Sequence, residues 1–161
     1  MTSLTHLDAA GAANMVDVAE KKVTSRVATA EGKISLNAKA MSEVLSQQNK
    51  KGDVISVARI AGIMAAKQTS TLIPLCHTLL LSKVKIEFDV QPHNGQILVS
   101  SMVKCEGKTG VEMEALTAVS VACLTLFDMC KAVDPNMIIS DIKALTKQGG
   151  KSGDWQHKNE T

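Results

Sequence analysis

The sequence predicts an α+β fold, with helices packed on one face of a mainly antiparallel sheet, and three observations predict it. Residues 83–90 and 97–105 each alternate apolar and polar side chains with period two, and residues 92–95 carry turn residues between them, so the pair forms a β-hairpin with one solvated face. Residues 110–133 hold no proline and no glycine after Gly110 and are apolar around most of their circumference, which makes a core helix spanning roughly 36 Å at the helical rise. The full order of elements is strand, helix, helix, hairpin, helix, strand, close to a split βαβ arrangement with one extra helix.

Each element has its local reason. Residues 1 to about 19 are rich in alanine and small polar residues without a sustained period, and read as a mobile amino-terminal arm with Asp17 near its end. From 21 to 36, Val23, Val27, Ile34 and Leu36 stand among threonine, serine and alanine, giving one strand or two strand segments bent at Gly32. Residues 38–48 follow a helical period through Ala40, Met41, Val44 and Leu45, and Lys50, Lys51 and Gly52 close the segment. Asp53 then caps a second helix running from Val54 to about Lys67, whose interior Gly62 implies close packing against a neighbour. Residues 72–78 form an apolar loop holding Cys76 and His77. Residues 137–145 alternate again as a last strand. Residues 147–154 read as too rich in glycine to pack, so a mobile tail is expected over about 148–161. No internal repeat is evident in the 161 residues, which are read as a single domain.

Composition removes several functional classes. Hydrophobic content of 45% and charged content of 21% belong to a globular domain with a real core. Eighteen Lys and Arg against sixteen Asp and Glu are too balanced for a duplex-binding protein, and two Phe, one Trp and no Tyr leave little to stack single-stranded bases. Nucleic acid is therefore not an expected partner. Cys76, Cys105, Cys123 and Cys130 form no C-x-x-C pair and have no histidine at zinc-finger spacing, so reduced thiols and no metal site are expected. The amino terminus lacks the blocks of a signal peptide and no uncharged run reaches membrane-spanning length, so the expectation is a cytoplasmic protein without a membrane partner.

The long helix carries the candidate chemistry. At 100° per residue Thr117, Ser120, Asp128 and Lys131 share one strip, with Glu114 and Thr125 along its edge. Burying Asp128 alone would be costly, and Lys131 three positions on can neutralise it. The two are either a structural ion pair or an acid and base facing a cleft. At the helix start, Thr109 and Glu112 have capping-box spacing, while Gly107, Lys108, Thr109 and Gly110 put amides, a positive helix end and a lysine where a phosphate can dock. The P-loop pattern is not met, because it needs a glycine where Met102 stands. Arg26, one of two arginines, is either a solvated strand cation or a phosphate partner through its planar fork. His77, in apolar surroundings, reads on local evidence as a satisfied core group.

Five ordered blocks then match a known family: LTHLDAAGAANMVDV, KGDVISVARIAGIMAAK, LIPLCH, GKTGVEMEALTAVSVACLTLFDMCKAV and GGKSGD. Together they are spread in order from Leu4 to Asp154, nearly the whole length of the chain, which closely resembles the MoaC family of molybdenum cofactor biosynthesis. Thr78 departs from the pattern, since the family usually continues LCH with proline. The resemblance implies a ferredoxin-like fold and a homohexamer built as a trimer of dimers, with active sites at the dimer interface. It implies a lyase that converts 3′,8-cyclo-7,8-dihydro-GTP, a nucleotide-derived small molecule, into cyclic pyranopterin monophosphate with release of pyrophosphate. No cofactor is required, with room for a divalent cation such as Mg²⁺ on the phosphates. By the same resemblance Asp128, Lys51 and Lys131 are catalytic, and Leu75, Cys76, His77, Met113 and Glu114 contact substrate. Glu112, Arg26, Lys67 and Lys147 hold supporting positions, and Asp17 a further one.

The chemistry of such a substrate agrees with the residue types. A triphosphate needs several cations to hold its charge and stabilise pyrophosphate as it leaves, and Arg26, Lys51, Lys67, Lys131 and Lys147 would have to converge to supply them. Rebuilding a ring system needs proton transfers, for which Asp128, Lys131 and His77 are titratable groups of suitable kind. A ligand-sensing module is the competing class, because the fold alone does not determine function. The concentration of titratable groups on one apolar helix speaks against it.

Overall fold

The computed structural model describes residues 6–8, 10–46, 52–151 and 153–158. Its chain order is β1 (Thr24–Ser35), α1 (Ala38–Ser46), α2 (Val54–Lys67), the single turn α3 (Thr69–Leu72), β2 (Leu81–Gln91), β3 (Gln96–Gly107), α4 (Glu112–Cys130), β4 (Ile138–Gln148) and the short β5 (Trp155–Gln156). The strands lie in the order β2-β3-β1-β4-β5 and every neighbouring pair is antiparallel. With α2 and α4 on one face, the first four strands have the ferredoxin-like arrangement, in which each helix carries the chain over one intervening strand.

The sheet alternates as its sequence requires. Ala28, Ala30 and Ile34 of β1, with Ile97, Val99, Val103 and Cys105 of β3, point into the helix-covered core and are almost completely buried. Ion pairs from Lys33 to Asp141 at 2.6 Å and from Lys143 to Glu31 at 3.0 Å join β1 and β4. β1 is one continuous strand, paired to β3 without interruption, and its register with β4 shifts between Glu31 and Lys33, on either side of Gly32. The glycine serves helix packing, because a Cβ there would lie 2.8 Å from Val119 Cγ1 of α4 and 2.9 Å from Ile142 Cγ1.

The helix layer follows the same logic. Asp53 caps α2 as expected, its carboxylate accepting from the Ser56 amide at 3.0 Å and from the Ser56 hydroxyl at 2.6 Å. Gly62 lets α2 close on α4, since a Cβ there would lie 2.8 Å from the Ala118 carbonyl and 3.3 Å from Ala122 Cβ. By length and composition α4 could cross a membrane, but half of that apolar window is buried, with Ala115, Ala118, Val119, Ala122 and Leu126 in the core. It begins at Glu112 and ends at Cys130, inside the expected 110–133.

The carboxyl end differs from expectation. β4 extends to Gln148, and the glycine-rich segment packs: the Gly149 amide donates to Asp154 Oδ1 at 3.0 Å and the Gly153 amide to the Gly150 carbonyl at 3.1 Å. Gly149 and Gly150 both take φ +88°, so the glycines supply the left-handed backbone that returns β5 onto β4.

Candidate functional site

Two clefts meet at the amino end of α4. The smaller, about 270 Å³, is bounded by Leu75, Cys76 and His77 from the loop after α3 and by Glu112, Met113 and Glu114 from the first turn of α4. His77 Nε2 lies 2.8 Å from the Val16 carbonyl, and a carbonyl only accepts, so Nε2 carries a hydrogen and Nδ1 is left as the second polar atom of the ring. The bond ties the amino-terminal segment to this cleft. Thr78 donates to Ser70 Oγ at 3.2 Å, a hydrogen bond that ties this loop to α3.

Glu114 is only 4% exposed, and burial raises its pKa above the ordinary carboxylate value, with the charge of Glu112 adding to the effect. Burial and the nearby Glu114 charge also push the Cys76 thiol up, so Cys76 lines the wall as a neutral thiol. The expected capping box does not form. α4 has Val111 as its N-cap with no side-chain bond, and Glu112 instead reaches Lys147 at 3.0 Å. A full opposite charge outcompetes a neutral backbone amide. The Glu112 carboxylate folds over Gly110, where a Cβ would sit 2.7 Å from its Cδ.

The larger cleft, about 770 Å³, is basic: Lys21, Lys22, Arg26, Lys108, Lys147 and Lys151 line it against a single carboxylate, Glu20. Arg26 is 7% exposed and fixed, with Nε donating to the Gly107 carbonyl at 3.3 Å and Nη2 to the Lys108 carbonyl at 3.2 Å. Gly150 lies against its guanidinium plane, where a Cβ would be 2.7 Å from Cζ. Lys108 donates to the Ala19 carbonyl at 2.6 Å. The other arginine, Arg59, donates to the Ile86 carbonyl and lies 5.1 Å from the Phe88 ring centroid, a structural role. Thr109 and Gly110 line both clefts, and the Glu112–Lys147 ion pair bridges them.

The other described members of the predicted set do not line the two clefts. Asp128 and Lys131 form an ion pair of 2.7 Å, with side chains 59% and 54% exposed, so this end of the polar stripe is at the surface. Asp128 stands sixteen residues beyond Glu112 on α4, roughly 24 Å away at the helical rise. The stripe sinks toward the other end: Ser120 and Thr125 turn their hydroxyls back to the carbonyls of Leu116 and Val121, and Thr117 and Glu114 are buried. Lys67 is exposed in the last turn of α2 and is not among the residues lining the two clefts. Asp17 is exposed and accepts from the Ala19 amide at 2.8 Å. Lys51 falls outside the described residues.

Sequence reasoning passed over Lys21, Lys22, Lys151 and Trp155. Isolated lysines look like solvated surface, and no local pattern distinguishes these; Lys108 was visible through its place in GKTG. Chemically, the basic cleft suits a polyanion, and the adjoining cleft offers a fixed imidazole and two carboxylates to a heterocycle.

Comparison with known proteins shows what this chain is similar to. The profile of the MoaC family matches residues 15–150. The cyclic pyranopterin monophosphate synthase of Chloroflexus aurantiacus is 54% identical over 153 residues, covering 95% of this chain and 94% of its own. That of Desulfitobacterium hafniense is 57% identical over 150 residues, covering 93% and 91%. Among solved structures, a de novo designed protein with a ferredoxin fold aligns over 84% of this chain and 97% of its own, with 13% identity and a TM-score of 0.42.

Proposed function

We infer the function from the fact that this chain belongs to the MoaC family: it is a cyclic pyranopterin monophosphate synthase. The reaction converts 3′,8-cyclo-7,8-dihydro-GTP to cyclic pyranopterin monophosphate and releases pyrophosphate, a lyase step in molybdenum cofactor biosynthesis. The structural observation that carries the reading is the junction of a six-cation cleft with a smaller cleft bearing Glu112, Glu114 and His77. The cations take the triphosphate and stabilise pyrophosphate as it leaves. The smaller cleft takes the ring system, with Leu75, Cys76, His77, Met113 and Glu114 as its contacts. Lys147 lines the basic cleft, and its ion pair holds Glu112 of the smaller cleft in place.

Asp128, Lys131 and Lys51 are the proposed proton-transfer groups. The distance of Asp128 and Lys131 from the substrate cleft supports a composite site: Asp128 and Glu112 lie at opposite ends of α4 and cannot touch one substrate from one chain. A second subunit would bring its Asp128–Lys131 end to the first subunit's cleft. Exposed apolar residues at helical spacing, Val57, Ile60 and Met64 on α2, together with Leu124 on α4, support self-association, which we take to be a trimer of dimers. The basic cleft supports turnover without a resident cofactor, with a divalent cation such as Mg²⁺ arriving on the phosphates. Free thiols at Cys76, Cys105 and Cys123 support a reducing, cytoplasmic setting. Incubation of the protein with the cyclised GTP intermediate should release pyrophosphate. A ligand that binds without pyrophosphate appearing would overturn the assignment in favour of a sensing module.

A further inference from the structure

We propose that Trp155 is a substrate-contacting residue, an aromatic wall against which the fused rings of the nucleotide-derived substrate stack. The proposal rests on the synthase reading above and adds to it a contact that fixes ring orientation. Trp155 is the chain's single tryptophan, and there is no tyrosine. The two phenylalanines, Phe88 and Phe127, pack against the core, so Trp155 alone offers an aromatic face outside it.

Its position follows from register. Trp155 pairs directly with Lys147 across the β4–β5 ladder, and directly opposed residues of an antiparallel pair project to the same face. Lys147 is the residue that bridges the basic cleft to Glu112. The indole accordingly lines a recess of about 360 Å³ with Glu112, Lys147 and Gly153, at the junction of the two clefts. A substrate whose phosphates occupy the basic cleft and whose rings reach toward Glu112 must pass this recess.

The segment that presents the indole is built. The amides of Gly149 and Gly153 close the turn, and the His157 amide donates to the Leu145 carbonyl at 2.7 Å beyond it. The His157 ring meets the indole edge-on, with centroids 6.2 Å apart and planes at 72°, which restrains its rotation. The indole is nevertheless 47% exposed, and apolar surface of this kind gains from being covered by a flat ligand.

The test uses the intact chain and its sequence composition. Because Trp155 is the only tryptophan and no tyrosine is present, indole emission reports this residue alone. On stopped-flow mixing with 3′,8-cyclo-7,8-dihydro-GTP, emission should change within the first turnover. Tripolyphosphate, which fills only the basic cleft, should leave it nearly unchanged. In steady state, Trp155→Ala and Trp155→Leu should raise KM for pyrophosphate release roughly 5- to 150-fold, the span of aromatic–base stacking. kcat should change far less, and Trp155→Phe should restore most of the loss. Leucine keeps apolar bulk without a π face, so a leucine variant with normal KM would reduce Trp155 to a packing residue and overturn the proposal. Equal emission changes with both ligands, or a wild-type KM in Trp155→Ala, would also overturn it. These outcomes leave the synthase reading standing, which fails only if the unaltered protein releases no pyrophosphate.

Discussion

Replacing Gly150 by alanine should both loosen the carboxyl-terminal hairpin and displace the most rigid cation of the basic cleft. The magnitude follows from three contributions. Gly150 has φ +88°, and an L side chain in the left-handed region costs about 1–2 kcal/mol. The new methyl would overlap Arg26 Nη1 and lie 2.7 Å from Cζ, so the guanidinium must shift and give up one of its two bonds, to the Gly107 or the Lys108 carbonyl. Loss of one charged hydrogen bond is worth about 1.5–3 kcal/mol. Reduced freedom of the unfolded chain returns about 0.4–1 kcal/mol. The net is a destabilisation of about 2–4 kcal/mol, or a Tm lower by roughly 4–16 °C for a chain of this size. Gly153→Ala is the matched control, because Gly153 also has positive φ, +70°, but open space around its Cβ position. It should lose only the backbone contribution, about 1 kcal/mol. The assay is thermal melting of both variants together with KM for pyrophosphate release, which should rise only in Gly150→Ala. Equal melting temperatures and equal KM would refute the packing of Gly150 on Arg26.

Three further outcomes are expected. Asp128→Asn should lower turnover by roughly 100- to 10,000-fold, the weight of a positioned acid or base. Its Tm should stay within a few degrees of normal, since an exposed ion pair is worth about 0–1 kcal/mol; near-normal pyrophosphate release would remove the catalytic role. Glu114→Gln should raise Tm at neutral pH. The folded-state pKa of Glu114 is raised, so the carboxylate's ionisation favours the unfolded chain as pH climbs above its ordinary 4.5, and the gain should vanish near and below that pH in a pH series of melts. Mixing inactive Asp128→Asn and Glu112→Gln subunits should restore activity at about one site in four if each site takes residues from two chains. No recovery after subunit exchange would place the whole site in one chain.

What the sequence determined by itself was what depends on near neighbours in the chain. Asp53 reads as a cap because the amide that it binds is three residues away, and the hairpin reads from its own alternation. The core helix was legible because its apolar residues recur through many turns, and GKTG marked Lys108 and the amino end of α4 as a polar place. The tertiary structure decided whatever depends on residues distant in sequence. β1 runs unbroken through Gly32, where Val119 and Ile142 leave no room for a side chain, and Glu112 abandons its capping position because Lys147 arrives on β4. The glycine-rich tail packs because its glycines meet Arg26 and Ser25 of the first strand. Lysines from three separate segments form one cleft, and Trp155 enters the site through its register with Lys147. Periodicity and capping act over one or two turns of chain, whereas charge pairing, steric fit and cleft formation act through space, and only the folded chain sets those distances.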